Sequence, residues 1–174
     1  MATKNHTLED LYLEQLQDLH SAEKQILTAL PKMIKMASTP ELKQAFEEHL
    51  EATREQVERL IQIFDECGEK PGDEECLAMK GIIGEAEKEA KKHEKDEPPV
   101  LDAVLIAGAQ RVEHYEIAGY GTACAFAKQL GDEIGGNLLK KTLDEEKKTD
   151  KQLSELAESE INVEAATGAE TGSE

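Results

Sequence analysis

Apolar residues recur at steps of three and four along four long stretches of this chain, and no segment alternates with the period of a strand. From Thr7 to about Ala37, the residues Leu8, Leu11, Tyr12, Leu19, Ala22, Ile26, Leu30 and Met33 keep that step. Thr7, with Asp10 three residues on, forms a capping signal at the start. Pro31 predicts a kink or a tightened turn near the end. "STP" then breaks the chain, and Thr39 is placed to cap a second helix with Pro40 at its first position. The second stripe is Leu42, Phe46, His49, Thr53, Val57, Leu60 and Phe64, closed by "CGEKPGD". Pro98 and Pro99 open a third long helix that runs to about Leu130. After the turn residues "GDEIGG" a fourth runs from about Ile134 to Glu158. Between the second and third lies a shorter amphipathic segment, residues 74 to about 94, carrying Leu77, Met79, Ile82, Ile83 and Ala86 and fading into a solvated charge run.

Short turns make the first and second long helices an antiparallel pair, and likewise the third and fourth. The long link between the two pairs can cross the length of a bundle. The expected fold is therefore all-α, a ferritin-like four-helix bundle with a long helical crossover between helices two and three. Residues 1–158 are expected to form this one domain. The remaining residues 159–174, acidic and with few large apolar residues, are expected to be a disordered tail.

Composition narrows the partners. With 38 acidic against 20 basic residues, the net charge of −18 repels nucleic acid and anionic membrane surfaces, so neither is an expected partner. Aromatics are 3% of the chain and Trp is absent, which leaves no stacking platform for bases. Cys67, Cys76 and Cys124 form no Cys-x-x-Cys pair, and one is left over in any disulfide scheme, so free thiols in a reducing compartment are expected. No apolar run approaches a membrane span and "MATKNHTLEDLYLEQ" has no apolar signal region, so a cytoplasmic location is expected.

The stripes carry carboxylates. Glu23 lies four after Leu19 and three before Ile26; Glu113 lies four after Ala109 and four before Ile117; Glu116 lies four before Tyr120. Glu146 is seven from both Leu139 and Leu153, and Asp150 is four beyond it. Three of the four helices thus aim acids inward near mid-helix. On the second, Glu47, Glu48, Glu51 and Glu55 fall on the outer side, and His49, Thr53 and Gln56 point inward. Taken singly, each acid could sit at a stripe edge with its head in water, His49 could be a hydrogen-bonded core histidine, and Tyr12, Tyr115 and Tyr120 could be packing residues. Convergence of the acids at one height argues for a shared cation, because a bare buried charge costs several kcal/mol. An oxygen-rich site with some nitrogen between facing helices suits iron or manganese.

"SAEKQ" at 21–25, "AFEEHLEATREQVERL" at 45–60, "RVEHYEIAGYGT" at 111–122 and "LLKKTLDEEKKTDKQL" at 138–153 resemble the YciE/YciF family of bacterial stress-response proteins. The resemblance runs from Thr7 to about Leu156. It implies a ferritin-like fold distantly similar to rubrerythrin and other di-iron carboxylate proteins, a homodimer, and a metal site. The wider class has one Glu on the first helix, Glu-x-x-His on the second, Glu-x-x-Glu (in rubrerythrins) on the third and Glu-x-x-His on the fourth. Glu23 matches the first element, Glu113 and Glu116 the third, and Glu146 the fourth. Thr149 stands where the last His would be, with Asp150 as the nearby substitute. The second helix has no inward Glu, so His49, with Thr53 or Gln56, would have to serve.

The expected metal set is therefore Glu23, His49, Glu113, Glu116, Glu146 and Asp150, holding iron or manganese, with one ion, two unequal ions and a vestigial site all compatible with the sequence. Two functions stay open on the sequence alone. One is a non-haem metal oxidoreductase acting on peroxide or oxygen; lacking a rubredoxin-like Cys-x-x-Cys segment, it would take electrons from another protein. The other is a non-enzymatic dimeric stress protein whose polar core is metal-free and which acts through partner proteins.

Overall fold

Thr7 and Asp10 begin the first helix as a reciprocal capping box. The Asp10 amide donates to Thr7 Oγ1 at 3.1 Å, and the Thr7 amide donates to Asp10 Oδ2 at 2.9 Å. This computed structural model describes residues 6–168. α1 (Leu8–Met36) runs unbroken through Pro31, and α2 (Pro40–Glu66) follows after a three-residue turn. Thr39 is the N-cap residue of α2, but its hydroxyl makes no capping bond. The buried carboxylate of Asp102, from a helix far along the chain, takes that role. It accepts from the Ser38 amide at 2.8 Å, the Ser38 hydroxyl at 2.7 Å and the Thr39 amide at 3.0 Å.

The crossover contains α3 (Leu77–Lys92), which packs on α1 and on α4 (Pro98–Leu130). Its start is pinned to α1: the Cys76 amide donates to Ser21 Oγ at 2.8 Å, and Gln25 donates to the Cys76 carbonyl at 3.0 Å. Gly131 then takes a left-handed φ of 77° to stop α4. Asp132 caps α5 (Glu133–Leu156) by accepting from the Gly135 amide at 2.8 Å, and it also accepts from the Tyr12 hydroxyl at 2.9 Å. The chain continues into a π-helical turn (Ala157–Ile161) and a short α6 (Asn162–Gly168).

The four long helices close a ring in which α1 packs on α2 and α4, and α5 packs on α2 and α4. The described residues contain no strand. Inside the ring, the core is split into two apolar clusters. One holds Ala22, Ile26, Phe46, Val112 and Leu153; the other holds Leu19, Leu60, Tyr120, Leu139 and Leu143. Along their helices, Glu23, His49, Gln56, Glu113, Glu116 and Glu146 fall between members of the two clusters, so they form a belt at mid-height with an apolar layer above and below.

Three expectations are corrected. The chain past residue 158 is ordered through Gly168, because Ala157 and Ile161 continue the spacing of Leu153 and are buried in the first cluster; residues 169–174 lie outside the described residues. Leu11 and Leu77 were expected to face inward and are exposed, each lying at the rim or end of its stripe. The three tyrosines are not merely packing, since each hydroxyl bonds a carboxylate: Tyr12 to Asp132, Tyr115 to Asp18 and Tyr120 to Glu23.

Candidate metal centre

His49 from α2, Glu113 and Glu116 from α4, and Glu146 from α5 each offer a ligand atom, and these atoms lie within 4.8 Å of one another. All four are buried, and Glu113, Glu116 and Glu146 have no exposed surface at all. The i, i+3 spacing of Glu113 and Glu116 stacks both carboxylates on one face of α4. Glu23, equally buried, enters from α1 beside this set and not within it; its Oε1 accepts from the Tyr120 hydroxyl. Gln56 donates to Glu146 Oε1.

Few other donors reach the cluster. Both oxygens of Glu113 and of Glu116, one each of Glu23 and Glu146, and both His49 ring nitrogens are buried without a hydrogen-bond partner. His49 Nδ1 stands 3.2 Å from Glu113 Oε1, but not in hydrogen-bond geometry. The pair is not an ion pair either. Burial lowers the His49 pKa from 6.5 to about 4, so at neutral pH the imidazole is uncharged and keeps a free lone pair.

Burial also drives the carboxyls of Glu23, Glu113 and Glu116 well above the usual carboxylate range, with repulsion from neighbouring acids adding to it. Burial raises Glu146 to about 7, a smaller rise because the adjoining Glu113 carboxyl, the bond from Gln56 and the nearby Arg59 favour its anion. Two carboxyl pairs come into hydrogen-bonding reach, Glu116 with Glu23 and Glu113 with Glu146. Two ionised carboxylates share no hydrogen, so each contact needs a proton or a cation between its partners. Without metal, one proton held between the partners completes each pair.

The remaining expected ligands sit elsewhere. Asp150 lies at the rim, where it accepts from Gln110 at 3.2 Å and faces His114 Nε2 at 3.4 Å, and it is not part of the four-residue set. Its position one turn past Glu146 carries it outward along α5. Thr149 and Thr53 donate to backbone carbonyls of their own helices, at 3.2 and 2.9 Å. Of the inward polar residues of α2, only His49 joins the set.

Sequence reasoning missed Arg59. Largely buried, its guanidinium donates to both oxygens of Glu145, to Glu55 at 3.0 Å and to Thr142 at 3.0 Å, placing a fixed positive charge beside the belt. Its signal was position: Arg59 follows Gln56 by three on the face that also carries Leu60 and Ile63. Asp102 was missed as well, though a lone acid in the apolar run "PPVLDAVLIAGA" calls for a partner.

Among characterised proteins, YciF of Escherichia coli K12 is 47% identical over 160 residues, spanning 91% of this chain and 95% of that protein. The crystal structure of the E. coli stress protein YciF superposes with a TM-score of 0.83 at 44% identity, covering 91% of this chain and 99% of the other. YcfI of Rhodopseudomonas palustris, described as a candidate structural protein, gives the same TM-score of 0.83 and 44% identity over 88% and 97%. A Xanthomonas campestris protein at 20% identity shares the fold, with a TM-score of 0.74. The family described as a domain of unknown function, DUF892, matches residues 7–166. On that span and these identities, the chain belongs to the DUF892 family.

Proposed function

We propose that this protein holds iron or manganese at His49, Glu113, Glu116 and Glu146, and uses it in stress protection by reacting with peroxide or oxygen. The observation that carries the reading is the set of buried, partnerless ligand atoms from three helices, joined by Glu23 from the fourth. Orphaned buried acceptors are costly, and a divalent cation takes one ligand atom from each of the four residues at once. An oxygen-rich set with one imidazole suits these two metals, and a redox-active ion supplies electron transfer to an oxygen species.

The surrounding residues fit that task. Tyr120 holds Glu23, and Gln56 holds Glu146, so both carboxylates are oriented from outside the cluster. Arg59 offsets part of the negative charge. The two apolar layers keep bulk water out. A small cavity of about 110 Å³ between α2 and α5 reaches His49 and is sized for water or peroxide. The ring of four long helices with one long crossover fits the ferritin-like topology, and the YciF relative is a stress protein. A homodimer, a cytoplasmic location and a protein electron donor complete the reading; among the described residues, no helix is long and apolar enough to cross a membrane. Elemental analysis of protein purified without added metal or chelator tests it. About one equivalent of iron or manganese supports the four-residue site, and two bring Glu23 in as a ligand. None, even after anaerobic reconstitution with Fe(II) or Mn(II), overturns the proposal.

One set of observations favours a second reading. Tyr120 with Glu23, Gln56 with Glu146, and the two carboxyl pairs form a network that two protons can complete without metal. A folded protein that stays metal-free in the same elemental analysis would favour that alternative.

A further inference from the structure

His49 is reached from a second side. A cavity of about 360 Å³ opens between α1, α3 and α4, and its inner end touches the His49 ring. Its walls are apolar, built from Ile26, Leu30, Met33, Ile83, Leu105 and Val112. Gly108 lets α3 come close over it, since a methyl placed there would lie 2.9 Å from the Ala86 methyl. At the mouth, Lys32 bonds Glu87 at 2.7 Å and so ties α1 to α3, while Lys91 and Glu94 add one charge of each sign. His49 is buried, and neither of its ring nitrogens has a hydrogen-bond partner.

We propose that this cavity is a binding site for a neutral, largely apolar organic molecule that lies between α1, α3 and α4 with one end against His49. Size and charge select the occupant. A dry apolar cavity of about 150 Å³ binds benzene, so this one takes a molecule with roughly the bulk of two fused rings or a medium-length hydrocarbon chain. The mouth has two lysines and two glutamates, so it offers no net charge for a strongly anionic or cationic head. The one polar contact the deep end provides is His49. The proposal goes beyond the metal reading and does not need it, because the cavity exists in the chain without an ion.

The test uses N-phenyl-1-naphthylamine, a neutral fluorescent aromatic, on the full chain kept metal-free with chelator. That condition separates its outcome from that of metal reconstitution. Expected is saturable binding of one probe per chain, with methyl NMR shifts confined to cavity residues such as Ile83, Val104, Val112 and Met33. Val104→Phe and Ala29→Leu intrude from opposite walls, and whichever variant melts like the parent should weaken binding about tenfold or more. Absence of saturable binding, or methyl shifts elsewhere, overturns the proposal. So does unchanged affinity in a parent-stable variant. If the cavity methyls shift with protein concentration and the probe does not bind, a second copy of the chain covers this face and the proposal falls.

Discussion

Replacing Glu146 by glutamine should stabilise the metal-free protein at pH 8 and weaken its hold on metal. Glu146 titrates at about 7 in the folded chain, against 4.5 when unfolded. A carboxyl raised in this way favours folding least where it must ionise. Its penalty is absent below pH 4.5, grows as pH rises to about 7, and reaches about 3 kcal/mol beyond that. Glutamine has the same shape. Its carbonyl can still accept from Gln56, and its amide can donate to Glu113, so only the charge is lost. The gain should therefore approach about 3 kcal/mol at pH 8, or roughly 6–12 °C in Tm for a domain of this size, and vanish near pH 4.5. With Fe(II) or Mn(II) added, the order should reverse, because the ion needs the ionised ligand. Thermal melts of both proteins at pH 4.5 and 8, with chelator and with metal, measure this. Curves that coincide within about 0.5 kcal/mol at pH 8 in chelator would refute the claim that Glu146 carries a buried charge.

His49→Gln should remove an acid-side weakness. With the imidazole pKa at about 4 instead of 6.5, the parent should lose about 3 kcal/mol relative to the variant as pH falls across that interval, read from paired urea melts. Asp102→Ala strips three bonds from the start of α2 and leaves the Ser38 and Thr39 amides without their acceptor, so it should cost about 2–4 kcal/mol by the same assay with no change in metal content. Light scattering should return about 38 kDa, twice the 19.2 kDa chain, and a persistent 19 kDa particle at micromolar concentration would exclude the homodimer.

The helices were legible because each stripe holds its step for several turns, and stripe position placed Glu23, Glu113, Glu116 and Glu146 correctly in the interior. The same rule failed for Asp150. Four residues turn a helix by slightly more than one revolution and advance it about 6 Å, enough to carry a side chain from the belt to the rim. Arg59 and Asp102 escaped because their partners lie 86 and 64 residues away, and pairing across the fold leaves no periodic trace. The ordered tail escaped for a different reason: Leu153, Ala157 and Ile161 continue the fourth stripe, but the small, acidic residues around them outweighed three apolar positions.

The polar belt draws on both antiparallel pairs, with Glu23 and His49 from α1 and α2, and Glu113, Glu116 and Glu146 from α4 and α5. Either pair can assemble from contacts near in sequence without meeting the acids of the other. Glu23 meets Glu116 only when the two halves dock, and His49 then stands beside Glu113 and Glu146. The α4–α5 hairpin by itself sets Glu113 against Glu146, and docking adds Glu23 and His49 to that crowd, so a proton or a metal ion favours both the closing of that hairpin and its docking on the other. The α1–α2 hairpin brings one acid of the cluster and meets no such repulsion until the two halves join.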